Sequence, residues 1–189
     1  MEDCFFGFGS YSGGPGGLPL NYGLFSQTGN SIPITNTLLE KTLIDGGVGT
    51  LIVPANSFKV GDSFMAQMGG HISSLNNNDI TFLVKANAIQ LASSGTLRLP
   101  QTTAKNWKLL LVFTIRAIGA AGVASIQTSG QFTYSKDASN AFEGTDLVDL
   151  NNTTFDTTIQ NTLDITAQWA SASASNSIYS ETFVLNKIY

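Results

Sequence analysis

The sequence predicts an all-β protein: a two-sheet jelly-roll sandwich of about ten strands, preceded by an extended Gly/aromatic-rich N-terminal arm. Three observations carry this. From Ile34 onward, apolar and polar residues alternate in short runs, the period of a strand with one buried face. Clusters of Gly, Asn, Asp and Ser punctuate those runs where turns belong. No stretch sustains i, i+3, i+4 apolar spacing among helix-forming residues. Many strands with long cross-connections point to a jelly roll. An immunoglobulin-like sandwich is the competitor, but Cys4 is the only cysteine, so the Cys–Trp–Cys core of that fold is absent. At 189 residues the chain suits one domain, expected at 34–189, plus an appendage at 1–33.

The appendage differs from everything after it. FFGFGSYSGGPGGLPLNYGLF is too rich in glycine and proline for a helix or a central strand. Yet it interleaves Phe5, Phe6, Phe8, Tyr11, Tyr22 and Phe25, and a free linker rarely carries so many rings. The combination predicts an anchoring arm that orders when its aromatics find pockets on a neighbouring copy or on a shell.

The strands follow in order. ITNTLLEKTLI (34–44) alternates, and Asp45-Gly46-Gly47 turns the chain. TLIVP (50–54) is a short strand closed by Pro54. DSFMAQMGGHISSL (62–75) is a long strand whose Gly69-Gly70 pair predicts a bulge or bend. Asn76 to Asp79 turn into ITFLVKAN (80–87), and 88–100 reads as a hairpin across Ser93-Ser94-Gly95. WKLLLVFTIRAIG (107–119) is the strongest strand, with Trp107, Leu109, Leu111, Phe113 and Ile115 on one face. GVASIQTSGQFTYS (122–135) carries another glycine mid-strand; EGTDLVDLNNTTFD reads as loop. NTLDITAQWA and SIYSETFVLNKIY complete the set, the last finishing inside a sheet.

Composition and chemistry remove alternatives. The chain is 42% hydrophobic but only 12% charged, about half the usual share, so its surface is polar without being charged. Such a surface suits close packing between copies or against a large assembly. Net charge is −4 with no basic cluster, which argues against nucleic acid or an anionic membrane as partner. No segment is long and apolar enough to span a membrane, and Glu2 and Asp3 stand where a signal peptide needs basic residues. The protein is thus expected to be made in a cytosol and to reach any extracellular role by assembly rather than secretion, leaving the Asn151-Asn152-Thr153-Thr154 sequons unused.

One cysteine and one histidine, His71, leave no thiolate zinc site or His-rich metal site; any Ser–His–Asp set would need His71. No cofactor and no catalytic residue is assigned. Glu143, Asp146, Asp149, Asp156 and Asp164 supply carboxylates for a glycosidase, but no tryptophan platform flanks them. The same loop oxygens are hard ligands that suit calcium, though without EF-hand spacing. From Asp137 to Asn186 there are seven acidic residues and no Lys or Arg, read as a solvated acidic face.

Several stretches resemble a known module. NTLLEKTLI, GTLIVPANSFKVGDSF, AQMGGHIS, ITFLVKANAIQLASSG, Trp107 before LLLVFTIRAIGAAGVASIQTSG, and NNTTFDTT with NTLDITAQW occur in one order across roughly 37–189. Together they resemble the jelly-roll C-terminal module of minor capsid, decoration, head-fibre and tail-fibre proteins of phages and large DNA viruses. In outline this is similar to the tumour-necrosis-factor and C1q trimer fold. The resemblance implies a non-enzymatic virion component, a homotrimer whose partner is a major capsid protein or another virion protein. A long fibre shaft with repeats is absent, which favours a small protein fixed directly to a capsid. One alternative is a receptor-binding fibre or tail module holding a host glycan or protein through loops such as 136–153. Others are a carbohydrate-active enzyme and a cellular C1q-like ligand.

Overall fold

A computed structural model describes residues 23–136 and 141–189. Fourteen strands are present among them. They are β1 (Gly23–Gln27), β2 (Ile34–Thr35), β3 (Lys41–Thr42), β4 (Gly47–Gly49), β5 (Ile52–Val53), β6 (Ser63–Ser74) and β7 (Asn78–Ala86). β8 (Ile89–Ser93), β9 (Leu97–Leu99), β10 (Thr102–Ala117), β11 (Ser125–Ser135), β12 (Phe142–Asn151), β13 (Asn161–Trp169) and β14 (Ser177–Lys187) complete the series. No helix occurs among the described residues.

The strands form two antiparallel sheets. The large one runs β12-β11-β10-β6-β14-β1-β4, with β2 also on β14; the small one runs β3-β13-β7-β8, with β5 on β13 and β9 on β7. Taking β1, β3, β6, β7, β8, β10, β13 and β14 as strands one to eight, the sheets read one-eight-three-six and two-seven-four-five. This interleaving is the jelly roll, in which most connections cross from one sheet to the other. The β11–β12 hairpin is an addition to that pattern, extending the large sheet beyond β10.

Strict alternation builds the core. β6 and β7 bury every second side chain, as does β10 from Trp107 to Ile115. Phe82 of the small sheet lies against Phe132 of the large one with centroids 4.2 Å apart, and Trp107 and Tyr134 flank Phe132 at 5.8 and 6.1 Å. Both tryptophans fill the interior with their indole N–H groups satisfied. Trp107 Nε1 donates to the carbonyls of His71 and Tyr179 at 3.1 and 3.2 Å, and Trp169 Nε1 to Ile34 at 3.0 Å. A buried ion pair ties the end of β14 to the start of β6: Lys187 Nζ sits 2.6 Å from Asp62 Oδ1, just before β6, and the Lys59 N–H donates to Asp62 Oδ2.

Several local expectations change. The run 34–44 is interrupted: only β2 and β3 pair, in different sheets, because this segment crosses from one to the other. Residues 88–100 do not form a hairpin; β8 and β9 both pair with β7, end to end along one edge, and the hairpin is β7–β8 around Asn87 (φ 56°). β6 runs straight through Gly69-Gly70, and the irregularity lies on its partner β14, between Ser180 and Thr182. A Cβ on Gly70 would come 2.1 Å from the Tyr179 carbonyl oxygen, so that glycine lets the bulged strand approach. Residues 142–151, expected as loop, are a ten-residue strand paired along its length with β11. Its hydrophobicity does not alternate, since only Leu147 of β12 is buried.

Candidate functional site

β1, Gly23–Gln27, falls within the stretch 1–33 expected as an arm but belongs to the large sheet. β1 lies between β14 and β4 in the large sheet, and Phe25 is only 7% exposed, tilted against Phe183 at 5.7 Å. Phe25 therefore belongs to the chain's own core, a correction to its place among the anchoring aromatics. The backbone pairs β1 makes on both sides explain why. Phe5, Phe6, Phe8, Tyr11 and Tyr22 lie outside the described residues.

The most distinctive exposed surface is the outer face of the large sheet. Register places Val184, Gln67, Leu110, Gln131 and Asp146 in one row across five strands. The next row holds Asn186, Met65, Val112, Ser129 and Val148. Leu110 is 44% exposed, while Met65, Val112 and Val184 are half-buried by their neighbours alone. Amide and hydroxyl side chains fill the gaps. Beside this band lies a groove of about 630 Å³, bounded by Lys108, Glu181, Thr182 and Val184, with Gly69 and Gly70 on its floor. It exists because Gly69, the outward-facing position of β6 there, has no side chain and because β14 bulges beside it.

Chemistry at this face is sparse. His71 stacks on Tyr179 at 5.8 Å, and its Nδ1 lies 3.1 Å from Glu181 Oε1, within ion-pair reach but without the alignment of a hydrogen bond. No hydroxyl is hydrogen-bonded to the imidazole among the described residues, so the base–nucleophile contact that a catalytic triad needs is missing there. No cluster of three metal-ligating side chains occurs among them either.

The candidate carboxylates are dispersed and mostly engaged in local structure. Glu143 accepts from the Tyr134 hydroxyl at 2.5 Å and pairs with Lys136 at 2.9 Å. The tyrosine bond chiefly, and the lysine with it, hold its carboxyl below the ordinary 4.5. Burial, then the carboxylate, push the Tyr134 phenol well up. Asp156 accepts the hydroxyl and N–H of Thr158, which lower its carboxyl. Asp164 accepts from Thr42 at 2.6 Å. Glu143 and Asp149 are six residues apart on one face of β12, about 20 Å at the rise of a strand. Paired glycosidase carboxyls stand roughly 5–9.5 Å apart.

Between the sheets lies a small apolar cavity of about 70 Å³, lined by residues including Leu24, Leu51, Phe58, Phe113, Phe155 and Leu185. It is partly open to solvent beside Ile52 and far smaller than a ligand-sized pocket. Sequence reasoning missed the band on the outer face because its apolar members, Met65, Leu110, Val112 and Val184, come from three strands distant in the chain. Only the register collects them.

The fold is thus an all-β jelly-roll sandwich whose outer large-sheet face no described strand covers. No protein-family model matches the chain, and neither curated proteins nor solved structures include a match to it.

Proposed function

We propose that this chain is a virion structural protein, a small capsid-associated protein that trimerises through its jelly roll and attaches to the capsid through residues 1–22. The observation that carries this reading is the uncovered face of β6, β10 and β14. Leu110, Val112, Met65 and Val184 stand there among neutral amides and hydroxyls, with a groove beside them. A grooved face that is partly apolar and carries few charges, Lys108 and Glu181 at the groove among them, is favourable to bury against another copy, because limited charged surface must be desolvated. The resemblance of 37–189 to jelly-roll modules of viral structural proteins supports the same assignment.

Trp107, Phe132 and Phe183 are interior, so aliphatic side chains would line the contact. Three arms leaving the trimer would engage separate sites on a lattice, and linked weak contacts give avidity without one strong pocket.

The test is a solution mass. A trimer gives about three times the 20.0 kDa protomer, and Leu110→Arg with Val184→Arg reduces it to one protomer without unfolding. A monomeric wild-type chain would overturn the trimer. For the arm, deletion of residues 1–22 preserves β1 and leaves the trimer intact, but the truncated protein no longer co-purifies with virions. Retention on the particle would overturn the attachment.

A further inference from the structure

The sheets have four edges, and three of them are blunt. β4 has three residues and β3 two, while the β8–β9 edge is broken at residues 94–96. Short or interrupted edges give another chain little backbone to pair with. The fourth edge is β12, ten residues long, paired only with β11. Its second side has no backbone pairing with any other described strand, while its inner face lies against β8, where Asn151 Nδ2 donates to the Gln90 carbonyl at 3.0 Å.

The side chains along this edge set what can pair with it. The positions facing the outside of the sandwich are Phe142, Gly144, Asp146, Val148 and Leu150, and the inward ones include Leu147 and Asp149. Phe142 is 79%, Val148 65% and Leu150 40% exposed, more apolar surface than an edge built only to repel would carry. Asp146 and Asp149 have no cation within ion-pair distance among the described residues; Glu143 alone is paired, to Lys136. A second copy of β12 brought edge to edge would set these unpaired carboxylates against each other, which disfavours self-pairing. The N-terminal segment carries Glu2 and Asp3 and no Lys or Arg, so it does not complement this edge.

The geometry points to β12 as a strand-addition site for an extended segment of another protein, one that carries two cationic residues three positions apart with apolar residues between and beside them. In antiparallel pairing, the residues opposite Asp149 and Asp146 are the cations, on opposite faces of the added strand. Those opposite Leu150, Val148 and Leu147 are apolar. The spacing of three follows from the positions of the two carboxylates, and backbone pairing supplies the remaining affinity. This inference is independent of the trimer, which uses the face of β6, β10 and β14 and not this edge.

Fluorescence anisotropy with labelled octapeptides on the full chain tests it. The peptide Thr-Val-Lys-Val-Val-Lys-Val-Thr binds saturably, at least tenfold tighter than the same peptide with Glu for Lys or with its lysines two positions apart. Asp146→Lys with Asp149→Lys reverses the preference between the Lys and Glu peptides. Methylating the backbone nitrogens on one edge of the peptide abolishes binding to the unaltered protein, while methylating those on the other edge leaves it within threefold. Equal binding of the Lys and Glu peptides, indifference to lysine spacing, indifference to which edge is methylated, or no saturable binding would each overturn the proposal.

Discussion

β10 and β12 flank the same strand, β11, and their different fates show what makes a strand legible and useful. β10 is central, paired on both sides, with the small sheet beneath it. Its inward residues from Trp107 to Ile115 are all apolar and all buried, so hydrophobicity alternates with the pleat. β12 is paired on one side only, and Leu147 is its one buried residue. Its outer face mixes Asp146 with the exposed Phe142, Val148 and Leu150, and its inner face sets Leu147 among Glu143, Thr145, Asp149 and Asn151. Coverage by a second sheet and by a second neighbour imposes alternation, and an edge strand is under less of that demand.

The comparison breaks most directly in the core. Phe132→Ala on β11 removes the ring that bridges Phe82, Trp107 and Tyr134, and unfolding free energy falls by about 3–5 kcal/mol in urea denaturation. Val148→Ala on the neighbouring edge changes it by less than about 0.5 kcal/mol. If the two substitutions cost the same, the distinction between covered and uncovered strands fails.

A second test concerns the buried pair before β6 and at the end of β14. Lys187→Met alone leaves the Asp62 carboxylate buried opposite no cation, at a cost of about 3–5 kcal/mol. Asp62→Leu with Lys187→Met recovers most of that loss, because an apolar pair needs no solvation. A double variant as unstable as the single one would show that the pair contributes more than mutual neutralisation.

Ala104 gives a smaller effect of opposite sign. It sits at φ 47°, where β10 shifts register against β6, with its N–H held by the Ser73 hydroxyl at 2.9 Å. A side chain in this left-handed region costs about 1 kcal/mol or slightly more. Ala104→Gly therefore raises stability by about that amount, measured by the same denaturation, whereas glycine elsewhere in β10 lowers it.

Acid provides the mildest probe. In the folded protein the Glu40 carboxyl lies below its ordinary 4.5, chiefly through the Thr166 hydroxyl; partial burial opposes this and Lys85 adds to it. A depressed carboxyl stabilises the fold above its unfolded value, and that contribution disappears as pH falls through the folded value. Melting temperature thus drops on acidification below about pH 4.5, and Glu40→Gln flattens part of that slope. An unchanged slope would remove Glu40 from the acid response.

Much of the architecture was readable without coordinates, and the reasons are local. The faces of β6, β7 and β10, the interior tryptophans and the two closing strands follow from alternation. Phe25 shows where such reading stops: its glycine-rich surroundings resemble the arm, and only pairing with β14 and β4 draws it into the core. The Gly69-Gly70 pair announced an irregularity, but its location on β14 depends on the strand that passes beside it. The apolar band of the outer face was invisible for a similar reason, since β6, β10 and β14, which supply Met65, Leu110, Val112 and Val184, are not consecutive in the chain.

Sequence alone determined that this protein is built of strands, and which side of most strands faces inward. A side chain's direction changes at every residue, so a few neighbouring identities suffice to set it. Tertiary structure alone decided the order one-eight-three-six over two-seven-four-five, the groove above Gly69 and the free edge of β12. Those features depend on which distant segments lie side by side, and backbone hydrogen bonding, identical for nearly every residue, leaves that choice to the packing of the whole.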